Sequence, residues 1–505
     1  MLTPLTKQHL AKYMTLQNGR LISKEFVLND FNKEQILSAL LRRKYSQTYL
    51  YIADDIDKTF KYLIAQQSET IKVKIIGRKT EILALRITSY KGYVLHVVNA
   101  FNILPPNCDN IYQGFKYLYD VLADGILPAY TIAAFALRFW RLKYLKINIP
   151  QLYINVEHFI RKAYAGGRSE IYQKTLDKGL YYDVNSMFAY QMTKPMPVGR
   201  PVFRLGKNRD KTKIGFYKCA VNQEQEKNRP VLWTKLNGSL CFPADKFEGV
   251  FPTCEIDKAR EKGAEVKELC GFEFESADIF SELITDIYKI KEKEQGWKKS
   301  FAKRFLVSLY GKFGEKRNNG IIYQTGEKDY CEKLIQGGIK IIDPYKRVIQ
   351  EATVNKGKHI LPHISAWITG LARVDLYNAA EQVEAQGGTV AYLETDAIFC
   401  DRPLPTGTGL GQWKFEGEIR NAEFKALKTY KMILNGKLVE KAAGVNENVS
   451  EYLDGQKVEI NKKNHLKNNL KTYKIQLTNN FYKRKYYKDK SESASIGEIL
   501  NQMVG

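Results

Sequence analysis

The chain has 505 residues, 44% hydrophobic and 27% charged, which allows two to four domains with buried cores and excludes global disorder. Lys and Arg number 79 against 55 Asp and Glu, a net charge of +24. That excess favours a polyanionic partner such as nucleic acid, with a solvated basic surface as the alternative. Seven scattered cysteines without a C-x-x-C argue against a disulfide framework or zinc ribbon and fit a reducing compartment. Thr131 to Trp140 is the most apolar stretch, too short to span a bilayer, and residues 1–9 give no secretory signal. The reading is of a soluble, intracellular protein without a membrane partner.

In chain order, residues 10–150 read as mixed α/β. Strands are expected at Tyr49 to Ala53 and Thr80 to Thr88, β-branched residues continue from Gly92 to a turn at Pro105-Pro106, and Asn110 to Arg141 has helical spacing. A composition break at Lys146 to Gln151 marks a boundary. Leu180 to Val184 reads as a strand. Residues 276–316 form a charge-rich helical tract in which Phe301, Phe305, Leu306 and Leu309 repeat at helical spacing and face inward. A helix from His363 to Ala385 leads into a strand, Thr389 to Leu393. His359 and His363 lie i, i+4 without an H-E-x-x-H, so a structural role is expected. The tail from Gly455 to Lys490 holds 11 Lys or Arg and two acids, interleaved with Tyr473, Phe481, Tyr482, Tyr486 and Tyr487.

Two acidic sites interrupt apolar strands: Asp183, and the pair Glu394 and Asp396 in Ala391-Tyr-Leu-Glu-Thr-Asp-Ala-Ile-Phe399. Period two places Glu394 and Asp396 on one side of a strand, and with Asp183 from an adjacent strand three carboxylates would converge. Oxygen ligands of that kind suit Mg²⁺. Two such ions about 3.5–4 Å apart would activate a 3′-hydroxyl and stabilise a pyrophosphate leaving group. Each site alone is ordinary turn chemistry. Between them lies the lysine-lined segment Lys303-Arg-Phe-Leu-Val-Ser-Leu-Tyr-Gly311.

The order acid, lysine helix, acid pair resembles motifs A, B and C of family B DNA polymerases, most nearly the protein-primed branch of bacteriophages, linear plasmids and mitochondrial elements. Asp183-Val-Asn-Ser-Met-Phe-Ala-Tyr-Gln-Met192 resembles Dx₂SLYP, Lys303 to Gly311 resembles Kx₃NSxYG, and Tyr392 to Ala397 resembles YxDTDS. Lys428-Thr-Tyr430 is similar to the branch's KxY motif and Tyr164-Ala-Gly-Gly167 to its YxGG motif. Leu410 to Glu416 and Lys441-Ala-Ala-Gly444 fit its palm-to-thumb passage. Glu394, Ala397 and Val307 depart from the family's Asp, Ser and Asn, and Phe188-Ala189 from its Tyr-Pro.

The resemblance implies an α/β (α+β) right hand of palm, fingers and thumb behind a truncated RNase H-like exonuclease domain. Its divisions would be 1–150 exonuclease-like, 151–275 palm with motif A, 276–318 fingers, 319–430 palm with motif C and KxY, and 431–505 thumb. It implies Asp183, Asp396 and Glu394 as catalytic carboxylates, with Asp183, Asp396 and Val184 holding two Mg²⁺ ions, Mn²⁺ being a substitute. Lys291, Lys299, Lys303, Tyr310, Phe188 and Ser186 would bind the nucleotide. Tyr164, Gly166, Gly167, Ser308, Gly311, Lys428, Thr429 and Tyr430 would contact DNA. Partners would be primer–template DNA, dNTPs and a terminal protein as one possible primer, in bacterial cytoplasm or an organelle matrix. Proofreading is not expected. Residues 1–48 hold no Asp-x-Glu, no Tyr from Tyr112 to Asp124 precedes an Asp by four, Asn99 stands where relatives often carry Asp, and Asp54 and Asp57 are the possible remnants. The alternative function is a catalytically decayed, polymerase-shaped nucleic-acid-binding protein.

Overall fold

The computed structural model describes the chain from residue 9 apart from residues 18–19, 29–47, 53–70, 79–80, 90–93, 119, 121–128, 317–319, 326–340, 344–347, 354–356, 358, 465–468, 478–482, 488–489 and 505. Asp54, Asp57, Phe481 and Tyr482 lie outside the described residues, as does the side chain of Tyr473. The chain packs as two units: Met1–Tyr144, Asp286–Lys358 and Asn461–Lys471 form one, and Leu145–Thr285, His359–Ile460 and Thr472–Gly505 the other.

The first unit holds a seven-stranded sheet in the order Ile341–Asp343, Val348–Thr353, Gly320–Thr325, Ile71–Arg78, Glu81–Ser89, Val94–Asn99, Thr48–Ile52. Its last pair is parallel and brings Ile52 opposite Asn99. The Asn99 side chain accepts from the Phe101 N–H (2.8 Å) and so caps the turn at Ala100–Asn102. Residues 319–358 were expected in the palm, but Gly320–Thr325 pairs with Ile71–Arg78 instead. That strand would otherwise be an edge with unpaired main-chain groups.

The tract expected to be helical from 276 to 316 is a strand end followed by two helices, Ser281–Lys293 and Gly296–Phe313, split at Gly296, whose φ is +58°. We call Ile132–Lys143 α1 and Gly296–Phe313 α2. Helical spacing puts Phe301, Phe305, Leu306, Leu309 and Phe313 on the buried face of α2, as the sequence predicts. Phe135 of α1 meets Phe301 and Phe305 edge-on, and Trp140 meets Phe313.

In the second unit a helix, Pro362–Ala385 (α3), covers one face of a seven-stranded sheet. Its strands are β1 (Ser169–Ile171), β2 (Thr175–Val184), β3 (Val390–Glu394), β4 (Ala397–Cys400), β5 (Trp413–Ala426), β6 (Thr429–Leu434) and β7 (Lys437–Lys441), in spatial order β7-β6-β5-β2-β4-β3-β1. Leu393, Ile398 and Cys400 face Ala372, Leu376 and Val383 of the helix. Tyr392, Phe399, Phe424 and Tyr430 form an aromatic layer on the other face. Both faces of β3 and β4 are thus covered, which is why they read as continuous apolar runs. His363 is buried near the start of α3, stacked on Phe274 at 5.0 Å, and burial pushes its imidazole down to about 3.

The end of the basic tail is tied to β1 and its surroundings: the Tyr486 hydroxyl donates to the Ile171 carbonyl (2.7 Å), Ser491 Oγ to the Tyr172 carbonyl (2.6 Å) and Arg484 Nη2 to the Asn228 carbonyl (2.8 Å). Arg484 is buried there, 3.6 Å from the Glu170 carboxylate that Arg168 also binds, so the buried acid has two cationic neighbours. No helix among the described residues is long and apolar enough to cross a membrane.

Candidate active site

Antiparallel register lines up one row across the sheet: Lys414 of β5, Asp183 of β2, Ala397 of β4, Glu394 of β3 and Ser169 of β1. Directly opposed residues project to the same face. Asp183 and Ala397 are thus immediate neighbours, whereas Glu394 stands two strand spacings from Asp183, roughly 10 Å. Asp396 lies in the turn joining β3 to β4. Thr395, at φ +57°, reverses the chain there, and the Val184 N–H donates to the Asp396 carbonyl (2.9 Å). The expectation that Glu394 and Asp396 share one strand face is therefore corrected: a hairpin turn separates them. Main-chain pairing still brings Asp183 and Asp396 to adjoining chain segments.

Burial, with the Glu394 carboxylate nearby, pushes the Asp396 carboxyl above its ordinary range, against its own backbone N–H and the Lys428 and Lys441 ammonium groups. A desolvated carboxylate beside another gains from a bound hard cation, so the donor chemistry of Asp183, Asp396 and the Val184 main chain fits a divalent ion. Glu394, the carboxylate that acts on Asp396, is itself held from one side. Its carboxylate is bound by Lys441 Nζ at 3.1 Å, and among the described residues no group of three His, Cys, Asp or Glu side chains is placed to hold a metal ion.

Sequence reasoning missed the buried charges behind this hairpin. The Arg168 carbonyl accepts from the Thr395 N–H (2.7 Å). The Arg168 guanidinium binds Glu170 Oε2 (2.8 Å) and the Pro230 carbonyl (2.8 Å), and stacks 4.0 Å over Phe242. Burial opposes ionisation of Glu170, yet Arg168 and Arg484 hold its carboxyl below the usual range. Arg373 of α3 forms two bonds with Glu255 (2.7 and 2.8 Å) and donates through Nη1 to the Ala165 and Gly166 carbonyls (3.1 and 2.7 Å). It thereby fixes the Tyr164–Gly167 loop. A Cβ on Gly167 would lie 2.7 Å from Thr395 Cγ2, so only glycine lets this loop reach the hairpin. An arginine inside the apolar run of α3 was the available signal.

The remaining expected residues are placed as follows. Ser186, in the left-handed region (φ 57°), turns β2 into the helix Met187–Met192, and Phe188 is half-buried against the α3 side of the sheet. Lys428, at φ +58°, is exposed, and its N–H donates to the Tyr392 hydroxyl (2.8 Å). Thr429 and Tyr430, expected at DNA, are both only 3% exposed, because Tyr430 completes the aromatic layer. In the first unit, Lys299, Lys303, Val307 and Gly311 form the exposed stripe of α2, four residues apart. Tyr310 borders it, and the Ser308 hydroxyl is spent on the Phe305 carbonyl (2.9 Å). Lys291 of the preceding helix stands 4.6 Å over the Tyr288 ring.

The model of DNA polymerase type B, organellar and viral, matches residues 47–355. A probable DNA polymerase of Agaricus bitorquis is 27% identical over 422 residues, covering 72% of this chain and 52% of that protein. The DNA polymerase of Bacillus phage Nf is 26% identical over 308 residues, 56% of this chain and 50% of that one. The chain thus spans about half the length of these curated relatives. The solved structure of Phi29 DNA polymerase complexed with primer-template DNA and incoming nucleotide substrates matches with a TM-score of 0.68 at 16% identity, over 94% of this chain and 99% of that one. The shared fold is that of a right-hand polymerase.

Proposed function

Because the chain belongs to the organellar and viral type B DNA polymerases, we propose that it is a template-directed DNA polymerase, adding dNMPs to a primer 3′-hydroxyl in replicating a phage, plasmid or similar element. The observation that carries this reading is the register that joins Asp183 to Ala397 and Val184 to Asp396, which holds two carboxylates at one end of a buried sheet. Mg²⁺ held by Asp183, Asp396 and the Val184 main chain would lower the pKa of the attacking hydroxyl and offset charge on the departing pyrophosphate.

Each residue then has a role. Lys291, Lys299 and Lys303 contact the nucleotide phosphates, with Tyr310 and Gly311 presenting a flat surface to the base pair and Ser308 shaping the helix beneath. Phe188, where relatives have Tyr, excludes a 2′-hydroxyl by bulk, and Ser186 sets the turn that presents it. Tyr164, Gly166 and Gly167 follow the template, with Arg373 and Glu255 holding their loop. Lys428 takes the primer, and the buried Thr429 and Tyr430 fix its turn. The chemistry is the same whether DNA, RNA or a terminal protein supplies the hydroxyl. A primer–template with a four-base 5′ overhang, given Mg²⁺ and dNTPs, should be extended to the template's end. No extension with either Mg²⁺ or Mn²⁺ would refute the proposal.

A further inference from the structure

Besides its apolar stripe and its lysine stripe, α2 carries a third face. Trp297, Ser300 and Arg304 stand i, i+3 and i+7, which puts them on one side of the helix. Each meets the segment that follows the strand Val94–Asn99. Trp297 packs edge-on against Tyr117, with ring centres 5.4 Å apart. Ser300 Oγ accepts from Asn107 Nδ2 (3.4 Å). Arg304 donates through Nη1 to the Leu104 carbonyl (2.5 Å) and through Nη2 to the Phe101 carbonyl (3.1 Å).

Arg304 is half-buried, burial lowers its pKa, and among the described residues no acid pairs with it. The loss of hydration is offset by the two carbonyls, so the guanidinium is held for its geometry. Its planar fork spans two carbonyls three residues apart, which the point charge of a lysine does not match. The turn that offers them is itself fixed. Asn99 caps it, Asn102 Nδ2 donates to the Leu83 carbonyl (2.9 Å), and the Ile103 and Leu104 N–H groups both return to the Ala100 carbonyl (3.0 and 2.9 Å). Lys299 and Lys303 directly precede Ser300 and Arg304, so the anchored face borders the lysine stripe.

We propose, building on the polymerase reading, that Arg304 is a positioning residue for nucleotide binding: its grip on residues 101–104 fixes the rotation of α2 about its axis, and with it the direction in which Lys299 and Lys303 meet the triphosphate. The apolar stripe cannot do this alone. Contacts among Phe and Leu side chains are non-directional and tolerate small rotations, whereas a two-pronged hydrogen bond does not.

The test measures dNTP KM, kcat, primer–template affinity by fluorescence anisotropy and melting curves on the full chain. Arg304→Met should raise dNTP KM about tenfold with kcat changed less than about twofold, and should leave primer–template affinity as in wild type. Arg304→Lys, which reaches one carbonyl, should fall between the two. In a Lys303→Ala background, Arg304→Met should add less than about threefold, since both act through the same phosphate contact. Asn99→Ala keeps Arg304 but frees its turn, and should raise dNTP KM by a smaller factor. An unchanged KM in Arg304→Met beside a lowered melting temperature would make the residue structural only and overturn the assignment. Fully additive effects with Lys303→Ala, or a matching loss of primer–template affinity, would overturn it too. Should Arg304→Met not fold, Arg304→Lys and Asn99→Ala decide the question by the same KM shift. If wild type extends primers and these variants contradict the assignment, the Arg304 role falls alone. A wild-type chain that extends nothing removes the polymerase reading and this role together.

Discussion

In the second unit, Asp183 and Asp396 are placed by main-chain register and by charges buried behind them, Arg168 with Glu170 and Arg373 with Glu255. On α2 in the first unit, Lys299 and Lys303 are placed by helical spacing above an apolar face. The first arrangement is rigid because each buried charge has a partner and each main-chain bond fixes a neighbour. The second is an exposed stripe whose long side chains keep their rotamer freedom. The carboxylate hairpin should therefore fail abruptly when one part is removed, and the lysine stripe by degrees.

The largest effect should come from Asp183→Asn, which removes charge where the transition state needs it. Nucleotide incorporation should fall about 10³-fold or more with an unchanged melting temperature. Residual activity above a few per cent would place the chemistry elsewhere. Breaking a support is a stability event first: Arg373→Met leaves the buried Glu255 carboxylate without its cation, with the Trp233 Nε1–H (3.3 Å) still donating to it, and should cost about 3–5 kcal/mol in denaturant unfolding. A loss well below that would mean that Glu255 finds water or another donor. On the other side of the comparison, Lys303→Ala should raise dNTP KM about tenfold and Lys299→Ala less, since each removes one of several phosphate contacts. An all-or-none loss at either lysine would erase the contrast between the two regions.

The smallest effect concerns pH. The unfolded chain takes up a proton at His363 below about 6.5, while the folded chain holds that imidazole neutral down to about 3. Stability is therefore unaffected above pH 6.5 and falls as pH drops through that window, by about 1.4 kcal/mol at pH 5.5. His363→Leu should flatten that part of the stability profile. An unchanged slope would assign it to other groups.

The site was legible where chemistry and spacing coincide. Asp183 stands out in an apolar strand and Asp396 just past the end of one, and α3 and the strand after it fall within a residue or two of where periodicity puts them. The Glu394–Asp396 relation was misread because period two assumes a continuing strand, and nothing in Leu-Glu-Thr-Asp announces that Thr395 will adopt a positive φ. Arg373 and Glu255 are 118 residues apart, so their pairing appears only once α3 is packed. The sheet joining Gly320–Thr325 to Ile71–Arg78 was hidden for the same reason, since strand pairing depends on which edges the fold leaves open. Whether the first unit retains any exonuclease chemistry is decided by a labelled, 3′-mismatched primer with Mg²⁺ and no dNTPs, which should stay full length.

The central claim is that the Asp183–Asp396 pair performs templated nucleotidyl transfer. Its most direct test is single-nucleotide incorporation on four primer–templates that differ only in the first template base, with wild type and Asp396→Asn compared at equal concentration. The account predicts that wild type adds only the complementary dNMP to each, and that Asp396→Asn adds none while still binding the same DNA. Addition that ignores the template base, or incorporation by Asp396→Asn at a rate near wild type, would contradict it.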